Sequence, residues 1–161
     1  MIDAYKHLDT RVQKWLFKQG WLDLREIQKK AIIPILGGKT DVLISASTAA
    51  GKTEAFFLPA CSAISDMDSG FGILYISPLK ALINDQYRRL DSLCEMLDME
   101  VTPWHGDSLK SKKSKAKKNP SGILLITPES LESLLVRESG WAKQAFSNLK
   151  YIVIDEFHAF I

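Results

Sequence analysis

No apolar run in this sequence approaches the roughly 20 residues needed to cross a bilayer as a helix. The amino terminus, Met-Ile-Asp-Ala-Tyr-Lys-His, lacks the charged-then-apolar layout of a secretory signal. Cysteine is scarce. Cys61 and Cys94 stand far apart in segments with helical patterning, which excludes a disulfide framework or a thiolate zinc site and leaves two small buried hydrophobes. Net charge is also small, +2 over 161 residues, so the total says little about partners. These absences predict no membrane partner and a reducing, cytoplasmic setting. No internal repeat and no linker interrupts the chain, which predicts one domain over 1–161.

The composition, 46% hydrophobic and 25% charged, is that of an ordinary globular protein. Short apolar runs alternate with helix-like stretches. Candidate strands are Asp41–Ala46, Gly72–Ser77, Val101–His105, Gly122–Thr127 and Tyr151–Asp155, several of them almost wholly Ile, Leu, Val or Tyr. Such runs suit strands buried on both faces of a parallel sheet. Between two of them Leu79, Leu82, Ile83, Leu90, Leu93 and Leu97 form an apolar stripe at helical spacing. The alternation predicts a three-layer α/β/α domain with a mostly parallel sheet and right-handed crossovers. The first 38 residues read as a helical lead-in, with helices near Leu8–Lys18 and Leu24–Ile35 and Gly37-Gly38 closing the second.

Two segments carry chemistry. In the first, the apolar run Val42-Leu43-Ile44 leads through Ser45, Ala46, Ser47, Thr48, Ala49 and Ala50 into Gly51-Lys52-Thr53 and a helix. A small-residue loop before a helix start offers backbone N–H groups and the positive end of the helix dipole to phosphates. Lys52 would reach the β- and γ-phosphates of ATP, and the Thr53 hydroxyl would ligate Mg²⁺. The strict phosphate-loop pattern fails at its first position, which is Ala46, although every loop residue is small. In the second segment, Tyr151-Ile152-Val153-Ile154 delivers Asp155-Glu156-Phe157-His158. Asp155 would hold the hydrated Mg²⁺ and Glu156 would orient or deprotonate the attacking water. Taken alone, an Asp-Glu pair after a strand is equally a favourable helix start; beside a phosphate loop it becomes the complementary half of a nucleotide site.

With these motifs the chain resembles superfamily 2 helicases of the DExD/H-box kind, and the resemblance covers nearly its whole length. Asp155-Glu156-Phe157-His158 matches the DExH signature, and Ala46–Thr53 is similar to the family's phosphate loop. Ser77-Pro78-Leu79-Lys80-Ala81-Leu82 resembles motif Ia, His105-Gly106-Asp107 the glycine-containing element after the third strand, and Thr127-Pro128-Glu129-Ser130 motif Ib. Leu24-Arg25-Glu26-Ile27-Gln28 is similar to the Q-motif region, where the family's glutamine contacts adenine. The branch it most resembles is the large-helicase-related (Lhr-like) one, which tilts the expected track toward DNA over RNA.

The resemblance implies a first RecA-like, ATP-binding domain with a phosphate loop. Lys52, Asp155 and Glu156 are the expected catalytic residues. Gln28, Ser47, Thr48, Ala49, Ala50, Gly51, Lys52 and Thr53 would bind ATP, and Thr53 and Asp155 the Mg²⁺. Pro78, Lys80, Gly106, Thr127, Pro128 and Glu129 would grip nucleic acid without reading its sequence, and His158 would couple the two sites. The same strand-to-helix turns serve as helix caps, and the two roles are compatible. The lysine run Lys110–Lys118, which keeps the chain from being net acidic, reads first as a solvated face. The family continues past its Asp-Glu element with a Ser-Ala-Thr motif and a second RecA-like domain that supplies arginines. The resemblance therefore implies a longer motor, a sheet truncated at its C-terminal edge, and little turnover by this chain alone. Two other functions fit parts of the pattern. A small-molecule kinase or other phosphate-loop enzyme needs clustered arginines, which Arg11, Arg25, Arg88, Arg89 and Arg137 do not suggest. A non-catalytic binding module sits poorly with intact Lys52, Thr53, Asp155 and Glu156.

Overall fold

The computed structural model describes residues 3–47 and 50–161. They form two compact units, Met1–Asp66 and Met67–Ile161.

The first unit is helical. A short 3-10 turn, Ala4–His7, precedes α1 (Thr10–Lys18), α2 (Glu26–Gly37) and α3 (Lys52–Ile64). Asp9 caps α1 by accepting from the Arg11 amide at 2.8 Å, and it also joins α1 to the end of α3. Its own amide donates to Ser62 Oγ at 3.0 Å, and Ser65 Oγ donates to its carboxylate at 3.0 Å. Gly38 closes α2 in the left-handed region, at φ 59°, as the Gly-Gly pair predicts. Val12, Leu16, Ile32, Phe57, Leu58 and Ile64 are fully buried. Phe17, near the end of α1, is left 81% exposed.

The expected strand Asp41–Ala46 is not a strand. Residues 41–47 take up no regular structure, and Leu43 is 84% exposed. Composition marks this run as strand-like, but a strand exists only through a ladder with a neighbour. Among the described residues no sheet includes this segment.

The second unit carries the sheet: β1 (Gly70–Ile76), β2 (Val101–Trp104), β3 (Ser121–Ile126) and β4 (Tyr151–Ile154), all parallel, in the order β2-β3-β1-β4. The intervening helices are α4 (Lys80–Met96), α5 (Lys110–Lys118), α6 (Pro128–Arg137) and α7 (Ser139–Ala145). The crossover from β1 to β2 runs one way along the sheet, and those from β2 to β3 and from β3 to β4 run the other. Right-handed connections then put α4 on one face and α5, α6 and α7 on the opposite face. Packing agrees. Phe71, Leu74, Trp104, Leu124 and Ile126 of the strands share one core cluster with Ala116 of α5, Leu134 of α6 and Ala145 of α7. The buried stripe of α4, Ile83, Leu90, Leu93 and Cys94, is absent from that cluster and packs with β2 and β3. Cys61 and Cys94 are both buried and in no disulfide, and burial pushes the Cys94 thiol up to about 12.

Three details depart from expectation. Pro78 does not open α4: the helix starts two residues later at Lys80, with Leu79 as its cap, whereas Pro128 does open α6. The lysine run is a helix, docked by its own charges. Lys115 pairs with Glu100 and Lys117 with Glu138, each at 2.6 Å, Lys112 meets the Tyr87 hydroxyl, and Lys113 lies over the Trp104 ring. Finally, β4 is not buried on both faces. Its Ile152 and Ile154 stand in register with Leu74 and Ile76 yet are 62% and 45% exposed, so the cover over β1 does not reach them.

Candidate nucleotide and nucleic-acid sites

The predicted nucleotide residues divide between the units. In the first unit Gly51 caps α3 at φ 81°, in the left-handed region that glycine tolerates. The helix opens with Lys52 and Thr53 and carries Glu54 in its first turn. Behind this start lies Gln28, only 1% exposed. Its Oε1 accepts from the Arg25 amide at 2.9 Å, which caps α2, and its Nε2 donates to the Gly51 carbonyl at 3.3 Å. A Cβ at Gly51 would lie 2.5 Å from that same nitrogen. The backbone angle favours glycine here, and a side chain at this position would push the Gln28 amide off the Gly51 carbonyl. Ser47 and Ala50 flank the loop, with the Ala50 amide donating to the Ser47 carbonyl at 3.1 Å; Thr48 and Ala49 lie outside the described residues.

In the second unit Asp155 follows β4, as expected, and its amide donates to the Ile76 carbonyl at 2.9 Å. Its Oδ1 accepts from the Glu156 amide at 2.9 Å, and its Oδ2 accepts from the buried Tyr75 hydroxyl. Glu156 adopts a left-handed conformation, φ 51°, unusual for a side-chain-bearing residue and of the kind that collects at functional sites. His158 lies in the 3-10 helix Phe157–Phe160 with its side chain largely exposed and Nδ1 3.4 Å from the Glu156 carboxylate. Tyr75 was not foreseen. It points to the same side of the sheet as Val153, its partner in register, and hence as Asp155, two residues on. Only the pairing register, which the sequence does not display, reveals the neighbour.

The same unit brings most of the predicted nucleic-acid residues together. An open groove of about 450 Å³ is lined by Pro78, Lys80, Gly106, Thr127 and Glu129, joined by Ser130 and Ser133. They come from the carboxyl ends of β1, β2 and β3, where ligands of such sheets bind. Pro128 is not in the lining; it opens α6, whose first intrahelical bond runs from the Leu131 amide to the Thr127 carbonyl. The amides of Glu129 and Ser130 therefore have no acceptor within the helix. Ser77, the residue before Pro78, is fully buried, and its hydroxyl is not offered to the groove. Ser133 was missed, although it lies one helical turn beyond Glu129 on α6.

One cation faces the groove, and it is tethered. Lys80 Nζ donates to Asp107 Oδ2 at 2.9 Å, and this ammonium holds the Asp107 carboxyl below the usual carboxylate range. Beneath it His105 is 3% exposed, with Nδ1 accepting from the Asp107 amide at 3.1 Å and Nε2 3.0 Å from Asn84 Oδ1 on α4. Burial pushes its imidazole below the ordinary histidine value.

Set beside known proteins, residues 25–161 match the DEAD/DEAH box helicase family. The ATP-dependent helicase Lhr-Core of Methanothermobacter thermautotrophicus is 32% identical over 98% of this chain. Among solved structures, the helicase MrfA bound to DNA and AMPPNP superposes with a TM-score of 0.83 at 28% identity, over 99% of this chain and 22% of that one. The Mycobacterium smegmatis helicase Lhr bound to ssDNA and AMP-PNP does so at 0.82 and 27%, over 98% of this chain and 21% of that one. The chain spans about a fifth of the length of the curated relatives it matches. With a Gly-Lys-Thr helix start, an Asp-Glu strand end and a groove across three strand ends, and with a family match over residues 25–161, the chain belongs to the DEAD/DEAH box helicases.

Proposed function

We propose that residues 1–161 form the first RecA-like domain of an ATP-dependent helicase or translocase, with 1–38 as its Q-motif lead-in and DNA as its track. The observation that carries this reading is the groove. Motifs lying far apart in sequence, around Lys80, Gly106 and Thr127, converge on one open surface. It offers one ammonium, two serine hydroxyls and helix-start amides, and it holds no aromatic platform for a base. That is a lining for a phosphate backbone, gripped without regard to sequence. The DNA-bound relatives named above favour DNA.

Within this reading Lys52 would neutralise the β- and γ-phosphates, with Ser47, Ala50, Gly51 and Thr53 binding the phosphate chain; Thr48 and Ala49 are assigned to it by motif alone. Gln28 serves adenine from the position where it already braces Gly51. Among the described residues no three His, Cys, Asp or Glu side chains gather as a protein-built metal cage. That fits Mg²⁺, which keeps waters and substrate oxygens and takes only one or two protein ligands. Asp155 and Thr53 are the residues that would hold it, and the ion would supply charge neutralisation at the transferred phosphate. Glu156 orients the attacking water, and His158 relays the state of that site to the nucleic acid.

A second RecA-like domain completes the motor with arginines, so nucleotide turnover by 1–161 alone is expected to be slight. No helix among the described residues is long and apolar enough to cross a membrane, and we place the motor in the cytoplasm.

The test is ATP hydrolysis by a protein carrying this domain and the second motor domain, with single-stranded DNA, with RNA and with neither, beside Glu156→Gln. Stimulation by DNA that vanishes in Glu156→Gln is the expected result. Stimulation by RNA alone would change the track, and hydrolysis indifferent to both polymers would overturn the helicase reading.

A further inference from the structure

The ring of His105 occupies an arrangement that fixes its protonation state from geometry. A backbone amide can only donate, so the Asp107 amide at 3.1 Å requires a lone pair on Nδ1. The ring proton is then on Nε2, where it is donated to Asn84 Oδ1. The rest of the turn is tied to the same residue: the His105 amide donates to Ser108 Oγ at 2.9 Å, and the Ser108 amide to the His105 carbonyl at 3.1 Å. His105 thus spans from α4 to the Gly106-Asp107 turn, and Asp107 carries the groove's ammonium. We propose that His105 is a positioning residue for nucleic-acid binding: its Nδ1 lone pair sets the Asp107 turn, and through the Asp107–Lys80 ion pair it fixes Lys80 over the groove. This rests on the reading of the groove given above.

A consequence follows for acid. The one atom at which the neutral ring can take up a proton is Nδ1, the atom the Asp107 amide already occupies. Protonation turns that acceptor into a donor facing a donor, and the turn must move. The charged groups facing the ring are Asp107 from its own turn, Lys80 from the start of α4 and Lys113 from α5. Asp107 favours the imidazolium, and the two lysines and burial oppose it. The lock is therefore intact at neutral pH and opens below the ordinary histidine value of about 6.5.

Two substitutions separate the two ring nitrogens. Asn places its Oδ1 where Nδ1 stands and keeps an acceptor for the Asp107 amide. Gln reaches the position of Nε2 and keeps Asn84 but offers nothing to that amide. The measurement is single-stranded DNA affinity, by fluorescence anisotropy, of wild type, His105→Asn, His105→Gln and Lys80→Ala, at about pH 7.5 and about pH 5.5. The same two-domain protein as in the hydrolysis assay is used. At the higher pH His105→Asn should bind as wild type does, and His105→Gln should bind about tenfold more weakly, the worth of one charge-assisted contact. On acidification wild type should lose affinity relative to His105→Asn, which has nothing to titrate there.

Lys80→Ala should be weak at both values and lack the acid-dependent loss, a comparison that needs no change at His105. Equal binding by His105→Gln and wild type, or equal weakness of His105→Asn and His105→Gln, would overturn the positioning role. So would an acid-dependent loss retained in Lys80→Ala. If Lys80→Ala binds DNA as wild type does, the groove reading itself fails, and the two failures are told apart.

Discussion

The Tyr75 hydroxyl donates to Oδ2 of Asp155, joining the penultimate residue of β1 to the carboxylate that follows β4. Burial first, and the neighbouring Asp155 second, push the phenol far above its usual range, so it stays a donor at every working pH. The Asp155 carboxylate is thereby held at both oxygens, by Tyr75 and by the Glu156 amide. Tyr75→Phe removes one of these donors and changes little else in shape. We expect the Mg²⁺ concentration for half-maximal ATP hydrolysis to rise about tenfold, as when the outer partner of a metal-ligating carboxylate is lost. An unchanged Mg²⁺ titration would show that Tyr75 only packs.

Salt dependence isolates Lys80. If its ammonium meets one backbone phosphate, Lys80→Ala lowers the slope of log affinity against log salt by about 1 and weakens all single-stranded sequences alike. Nucleotide affinity without polymer should not change. A sequence-dependent loss would mean that Lys80 reads bases instead.

Gly122 tests the frame that carries the groove. It sits at φ 69° beside the register shift between β1 and β3, and a Cβ there would lie 2.0 Å from the Glu100 carbonyl oxygen. That oxygen belongs to the backbone and already accepts from the Ile123 amide, so it has little freedom to withdraw. Gly122→Ala combines left-handed strain with a backbone collision, and should cost about 2–4 kcal/mol in chemical unfolding. A loss under about 0.5 kcal/mol would mean that the strands slide apart without penalty.

Asp9 gives the first unit an acid limit. Its carboxyl is held below its ordinary value, chiefly by the Arg11 guanidinium, which reaches it at 3.1 Å. A depressed carboxylate stabilises the fold above its unfolded value, about 3.9, and that contribution fades as pH falls through the folded one. Asn caps helices as well as Asp does, so Asp9→Asn removes the charge and keeps the cap. It should destabilise by about 1–2 kcal/mol near neutrality, with the gap to wild type closing in strong acid. A gap independent of pH would assign the effect to packing.

The strands β1 and β3 were legible because burial on both faces leaves a nearly continuous apolar run, Ile73–Ile76 and Ile123–Ile126, a signal written residue by residue. Asp41–Ala46 carries the same signal without being a strand, since pairing belongs to two segments and composition to one. The lysine helix was hidden for a related reason. Lys-Ser repeats predict little order, and what holds α5 in place is Trp104, Glu100, Tyr87 and Glu138, none of them within it. In the groove, the turn residues Pro78 and Thr127 announced themselves through strand-end motifs. Tyr75 and Asn84 did not, because their relevance comes from register and from one hydrogen bond across the fold. Gln28 lies between these cases: its motif was readable, but the brace it gives Gly51 was not.

The two margins of the sheet differ in how they meet other chains. At one, β2 carries Pro103, which breaks the run of donors a foreign strand would need. At the other, β4 has no proline, pairs only with β1 among the described residues, and leaves Ile152 and Ile154 exposed. Such a margin invites pairing with a second molecule. Concentrated preparations of 1–161 should therefore grow cloudy from this side, and a lysine in place of Ile152 should keep them clear.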